Sequence, residues 1–68
     1  MRLENITEEQ AEGYLATKQA ARYIDYHPES LRRLVRQGSI KAYRAGGQNI
    51  LRFRRSDLDE FMQQTSFD

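Results

Sequence analysis

Basic side chains are concentrated in the middle of this 68-residue chain. Residues 17–55 contain eight arginines and two lysines but only two acidic residues, Asp25 and Glu29, so their net charge is +8. The flanking segments are acidic, with −3 over residues 1–16 and −4 over residues 56–68. Arginine forms paired hydrogen bonds with phosphates and guanine edges. Because two acids cannot neutralise ten bases, the pattern favours a polyanionic partner over a solvated face of internal ion pairs.

The densest basic cluster lies in a predicted helix that starts at Pro28 and ends near Gln37. Proline suits the first helical position, and Gly38 supplies a left-handed stop. At about 100° per residue, three apolar side chains and three arginines occupy opposite arcs of this helix. The apolar residues are Leu31, Leu34 and Val35, and the arginines are Arg32, Arg33 and Arg36. One face can pack while the other is presented to a DNA major groove, as in a helix-turn-helix.

Three polar residues near the start of this helix each have two interpretations. Glu29 either accepts a hydrogen bond from a cytosine amino group or interacts only with the positive end of the helix dipole. Ser30 either binds a phosphate or satisfies free amides of the first turn. His27 is either a turn residue or a phosphate contact. No nucleophile or orienting acid is identifiable beside His27, so the sequence does not predict catalysis.

One helix is predicted directly before the basic cluster, and a second, shorter one is one of two possibilities for the N-terminal segment. A helix from Lys18 to about Asp25, capped by Thr17, precedes the turn that leads into the basic helix. Further upstream, Thr7–Gln10 has the form of a capping box, which predicts either a short helix ending near Gly13 or a frayed tail.

After the basic helix the hydrophobic period changes from that of a helix to that of strands. Strands are predicted at 40–44 and 50–54, with a Gly-rich hairpin loop at 45–49. This basic hairpin either lies along a DNA minor groove or is an ordinary exposed hairpin. Either Leu51 or Phe53 is expected in the core. A last helix is predicted to start at Ser56.

The composition excludes several classes of protein. The absence of cysteine and the presence of a single histidine exclude a disulfide framework, a thiolate metal site and a two-histidine metal centre. No apolar run reaches the roughly 18 residues of a membrane span, and no signal-peptide pattern is present. We therefore expect a soluble, cytoplasmic domain that is not an enzyme and that uses no metal or cofactor.

Five short motifs follow one another between residues 14 and 62. They are YL before the first helix, AARYI within it, LVRQGSI at the end of the second helix, RAGG in the hairpin and DLDEF in the last helix. Together they resemble the excisionase-type winged-helix domains, small relatives of the MerR DNA-binding fold, over 49 of the 68 residues. The segment ESLRRLVR is similar to the recognition helix of lambda-type excisionases. Asp25 replaces a frequent turn glycine of that family, and Pro28 replaces a polar residue.

The resemblance implies a small α+β fold of the winged helix-turn-helix type. It would contain two helices, a two-stranded wing hairpin and a C-terminal helix, and it allows a short extra N-terminal helix. The expected organisation is an acidic N-terminal segment at 1–13, the DNA-binding domain at 14–64 and a tail at 65–68.

Three groups of residues are expected to contact DNA on these combined grounds. The recognition-helix group consists of Pro28, Glu29, Ser30, Arg32, Arg33 and Arg36. The wing group consists of Arg44, Gly46, Gly47, Gln48, Asn49, Arg52 and Arg54. The phosphate contacts outside these two groups are Lys18, His27, Lys41 and Arg55.

The resemblance also implies a function. Excisionases bind double-stranded attachment-site DNA as several copies, expected here to lie head to tail, and bend it. The bent complex helps a tyrosine integrase to excise a prophage, and the excisionase itself performs no chemistry. A small transcriptional regulator with the same contacts is the main alternative. A third interpretation is a protein-interaction module that uses the acidic N-terminal segment and the tail around Phe67.

Overall fold

The computed structural model describes residues 3–46 and 50–64 of the chain. Within them the secondary-structure elements are β1 (Glu4–Ile6), β2 (Leu15–Ala16), α1 (Thr17–Tyr23), α2 (Pro28–Arg36), β3 (Tyr43–Ala45), β4 (Leu51–Phe53) and α3 (Arg55–Gln64). The predicted small α+β winged helix-turn-helix architecture is confirmed. The N-terminal strand and the short strand before α1 were not predicted.

The two wing strands are the central pair of a four-stranded mixed sheet with the order β1-β3-β4-β2. Strands β3 and β4 are antiparallel, β2 adds to β4 in antiparallel fashion, and β1 adds to β3 in parallel fashion. The predicted wing hairpin is present as the β3–β4 pair, and the two outer strands extend it into a sheet. Pairing on both sides leaves neither wing strand as a sheet edge, which restrains the base of the wing more than a lone hairpin would.

The sheet buries side chains on both of its faces. On one face, Phe53 is completely buried with Leu31 of α2 and Leu58 of α3, in the core that the three helices share. Side chains alternate along a strand, so Tyr43 and Ala45 point to the other face. Both are buried there. The ring of Tyr14 packs edge-on against that of Tyr43, with 5.4 Å between the ring centroids. The acidic N-terminal segment is part of the fold as well, because its strand β1 pairs with β3 and its Ile6 is buried.

The segment that follows β1 forms turns, so the short N-terminal helix that the sequence allowed is absent. The capping box itself is present. The Gln10 amide donates to Thr7 Oγ1 at 3.0 Å, and the Thr7 amide donates to Gln10 Oε1 at 2.9 Å. These bonds close one turn, and Gly13 then takes a left-handed conformation with φ of +87°.

Helix α1 begins one residue earlier and ends earlier than predicted. Its N-cap is Ala16, whose amide donates to Gln19 Oε1 at 3.1 Å, so Thr17 is the first helical residue and not the cap. After the helix, Asp25 adopts φ of +62°. L-residues other than Asn and Asp rarely occupy this left-handed region, which glycine adopts freely. The backbone at this place in the turn therefore suits an aspartate or a glycine.

Helix α2 starts at Pro28 as predicted, and its C-cap is Gln37. Gly38 has φ of +79° and donates its amide to Val35 O at 3.0 Å, which confirms its predicted role as the helix stop. Helix α3 starts at Arg55, one residue before the predicted start at Ser56.

Candidate nucleic-acid interface

Helix α2 has a buried apolar face and an exposed charged face, as the sequence predicted. Leu31 and Val35 are buried and Leu34 is half-buried against the core. The four charged side chains of the helix are exposed, and they are Glu29, Arg32, Arg33 and Arg36. Their exposure depends on the apolar stripe, because burial of that stripe fixes the rotation of the helix on the domain.

Glu29 and Arg32 form an ion pair on this surface. Arg32 donates to Glu29 Oε1 at 2.6 Å, and the two side chains remain 46% and 67% exposed, respectively. Exposed pairs of this kind contribute little to stability, so their consequence here is orientation and local charge. Neither Arg33 nor Arg36 has an acidic partner in residues 3–46 and 50–64. These two like charges lie one turn apart, and an anion placed between them would relieve their repulsion.

The start of α2 is organised by His27, which is its N-cap residue. His27 Nδ1 accepts a hydrogen bond from the Glu29 amide at 3.2 Å, so one orphan donor of the first turn is satisfied. Pro28 occupies the first helical position and is half-buried, like Ser30. His27 therefore caps α2 from the turn, a role that the sequence did not indicate, and its phosphate contact stays a prediction.

The wing arginines do not form a single surface. Arg44 lies opposite Leu51 across the β3–β4 pair, and Arg52 lies opposite Tyr43. Directly paired residues share a face and successive residues alternate, so Arg44 and Arg52 point to opposite faces of the sheet. Arg44 Nε is buried and makes no hydrogen bond within the described part of the chain. Arg52 lines a cleft together with Glu8 and belongs to the face that the acidic segment covers.

The glycine at the start of the wing loop touches the N-terminal segment. Gly46 has φ of +60°, and its amide donates to Ile6 O at 2.6 Å. A Cβ atom at this position would lie 3.2 Å from Glu8 Cγ. The remaining predicted wing contacts, Gly47, Gln48 and Asn49, lie outside the described residues.

Two of the remaining basic residues predicted to contact phosphates have partners within the chain. Lys41 Nζ lies 3.7 Å from Glu4 Oε1, and a hydrogen bond to Tyr43, with attraction to that phenol and to Glu4, raises the pKa of Lys41. Arg55 donates to Gly13 O at 3.1 Å. Lys18 is exposed on α1 and forms no ion pair among the described residues.

Arg54 is also engaged within the protein. Its Nε and Nη2 atoms each donate to the Asp57 carboxylate at 2.9 Å. Hydrogen bonding to Asp57, followed by the attraction of its charge, raises the pKa of Arg54 further above the ordinary arginine value. The described residues thus bring Glu29, Arg32, Arg33 and Arg36 onto one face, while Arg44, Arg52 and Arg54 have three different environments.

Residues 14–66 match the sequence profile of the helix-turn-helix domain family. The chain belongs to this family. In the helix-turn-helix domain, α1 and α2 are the two helices of the motif, and α2 is the one that such domains place in the major groove. Family membership therefore supports DNA binding through the exposed face of α2. Searches of curated proteins and of solved structures found no match.

No helix in the described ranges is long and apolar enough to cross a membrane. Among those same residues, no three side chains of His, Asp or Glu come together as a metal site.

Sequence reasoning missed two features around the wing of the helix-turn-helix domain. Strand β1 lies outside the family match and has only three residues, so its period was too short to detect. The Arg54–Asp57 pair had a usable signal, since an arginine and an acid three residues apart at a helix start can meet. The basic character of the segment led to Arg54 being grouped with the DNA contacts instead.

Proposed function

We propose that this helix-turn-helix protein is an architectural DNA-binding protein of the excisionase type, which binds and bends attachment-site DNA. The observation that carries the DNA-binding part is the exposed face of α2, where Arg33 and Arg36 have no acidic partner within the described residues. Their guanidinium groups can form paired hydrogen bonds with guanine edges or phosphates. Glu29 adds a hydrogen-bond acceptor, which phosphate binding alone does not require.

The excisionase part of the proposal is supported by the resemblance over residues 14–62. It includes several copies bound head to tail on double-stranded DNA and a tyrosine integrase that uses the bent complex for excision. Bending a site of 20–30 base pairs by 40–90° costs about 1–6 kcal/mol, and phosphate contacts from several copies can offset such a cost. In this proposal the protein acts in the cytoplasm of the bacterial host and performs no chemistry.

A small transcriptional regulator is the second candidate, because the same face of α2 would serve it equally well. The two functions differ in the arrangement of binding sites. Copies bound head to tail require direct repeats in phase with the DNA helix, whereas a two-fold symmetric dimer requires inverted repeats.

The experiment is selection of bound sequences from a random duplex library at two salt concentrations. Cooperative binding to direct repeats would support the excisionase type and justify an excision assay with a candidate integrase. Inverted repeats would favour the dimeric regulator. If no sequence is enriched and binding does not depend on salt, the surface of α2 is not a DNA-binding surface and the proposal is wrong.

A further inference from the structure

Arg54 is the single residue that connects the second wing strand to the last helix. It directly follows β4 and directly precedes α3. Its backbone carbonyl accepts hydrogen bonds from the amides of Asp57 at 3.1 Å and Leu58 at 3.3 Å. Its side chain binds the Asp57 carboxylate through two atoms at once. Backbone and side chain of this one residue therefore both hold the end of the wing strand to the first turn of α3.

The same guanidinium group also contacts the other wing strand. Arg54 Cζ lies 5.4 Å from the ring centroid of Tyr43 in β3, within the range of a cation–π interaction. Tyr43 is only 4% exposed, and its ring meets Tyr14 edge-on. Lys41 lies at 5.4 Å from the same centroid. Arg54 thus connects α3 and both wing strands, and its bidentate contact with Asp57 requires a planar, forked cation.

We propose that Arg54 and Asp57 act as a positioning pair that sets the angle of the wing against the helices, and that Arg54 does not contact DNA. This inference rests on the proposed DNA binding. The side chain of Asp57 is only 11% exposed, and both of its carboxylate oxygens accept hydrogen bonds from Arg54, whose own side chain is 42% exposed. Two hydrogen-bonding atoms of Arg54 are already occupied, and a phosphate would have to compete with a partner that forms a bidentate pair.

The two possible roles of Arg54 predict opposite effects of Asp57→Asn. This change removes a negative charge, so a phosphate-binding Arg54 would be freed and DNA binding would stay equal or become tighter. A positioning pair is broken by the same change, and the affinity should fall about tenfold, as for the loss of one charge-assisted hydrogen bond. Arg54→Ala and Arg54→Lys should weaken binding to the same extent, because lysine cannot form the forked contact.

The experiment measures DNA affinity and its salt dependence for the full chain and for these variants, at a temperature where circular dichroism shows every variant folded. Glu60→Gln is the matched control, since it makes the same charge change at an exposed position of α3. The double variant Arg54→Ala with Asp57→Asn should bind no more weakly than either single variant.

Three results would overturn the positioning role. They are equal or tighter binding by Asp57→Asn, retention of affinity by Arg54→Lys, and additive losses in the double variant. The unmodified chain separates this inference from the proposed function. If the unmodified chain binds no DNA, both proposals are wrong. If it binds DNA and the Asp57→Asn variant binds with the same affinity, only the positioning role is wrong.

Discussion

Glu29 holds the guanidinium group of Arg32 at 2.6 Å on the exposed face of α2, one helical turn apart. The pair occupies the N-terminal part of the helix that is expected to meet base edges. It reduces the net positive charge of that face and fixes the orientation of one of its three arginines. We therefore expect Glu29 to influence both the affinity and the selectivity of DNA binding, beyond its interaction with the helix dipole.

Glu29→Gln tests this influence. Removing the carboxylate frees Arg32 and eliminates a repulsion of phosphates, so we expect tighter binding to all DNA sequences. We also expect weaker discrimination between the selected site and random DNA, because the acceptor for a cytosine amino group is weakened. Competition binding with both kinds of DNA measures the two effects. Unchanged discrimination would leave Glu29 with the helix-dipole role alone.

Arg33→Ala should affect one base pair in particular. Arg33 is exposed on α2 and has no acidic partner in the described ranges, so it is free to form a bidentate contact. We expect a loss of about 1–3 kcal/mol on the selected site and a relaxed preference at one position. Repeated selection with the variant measures the preference. An equal loss on every sequence would assign Arg33 to phosphate binding.

Arg44 and Arg52 point to opposite faces of the sheet, so we expect them to contribute unequally to DNA binding. Arg52 lies in the cleft with Glu8, where the carboxylates of the N-terminal segment repel phosphates. We expect Arg44→Ala to reduce the magnitude of the slope of log K against log salt by about 0.9, and Arg52→Ala to change it less. A larger effect of Arg52→Ala would place the DNA on the face covered by the acidic segment.

Asp25→Ala should lower the stability of the domain. The left-handed conformation of Asp25, with φ of +62°, is unfavourable for a residue with a Cβ atom and is better tolerated by Asp than by Ala. We expect a loss of about 1 kcal/mol in the free energy of unfolding, while Asp25→Gly should retain or exceed the original stability. Thermal denaturation followed by circular dichroism measures both variants. Equal stability of the alanine and glycine variants would contradict the conformational explanation.

Ile6→Ala tests whether the segment before the family match belongs to the folded domain. Ile6 is 9% exposed, and its carbonyl accepts the Gly46 amide at the wing. Truncating this side chain should lower the free energy of unfolding by about 2 kcal/mol. Glu9→Ala, in the exposed turn, is the control and should change it by less than about 0.5 kcal/mol. If both variants are as stable as the unmodified chain, β1 contributes nothing to the domain.

The sequence by itself determined the features that depend on neighbouring residues. The period of apolar residues and the positions of Pro28 and Gly38 located α2, and the same period separated its buried stripe from its arginines. A helix repeats every 3.6 residues and its stop signals are local, so these features can be read from a short window. The hairpin and the last helix were located for the same reason, although the predicted first wing strand began three residues too early and the other ends were displaced by one residue.

The tertiary structure decided what depends on residues far apart in the chain. Strand β1 has three residues and exists because β3, almost forty positions later, offers a partner edge. The sequence grouped Arg44, Arg52 and Arg54 as equivalent wing contacts, but strand pairing and the start of α3 gave them three different environments. A guanidinium group binds a phosphate or a carboxylate equally well in principle, so only the position of Asp57 and Tyr43 reveals what Arg54 contacts.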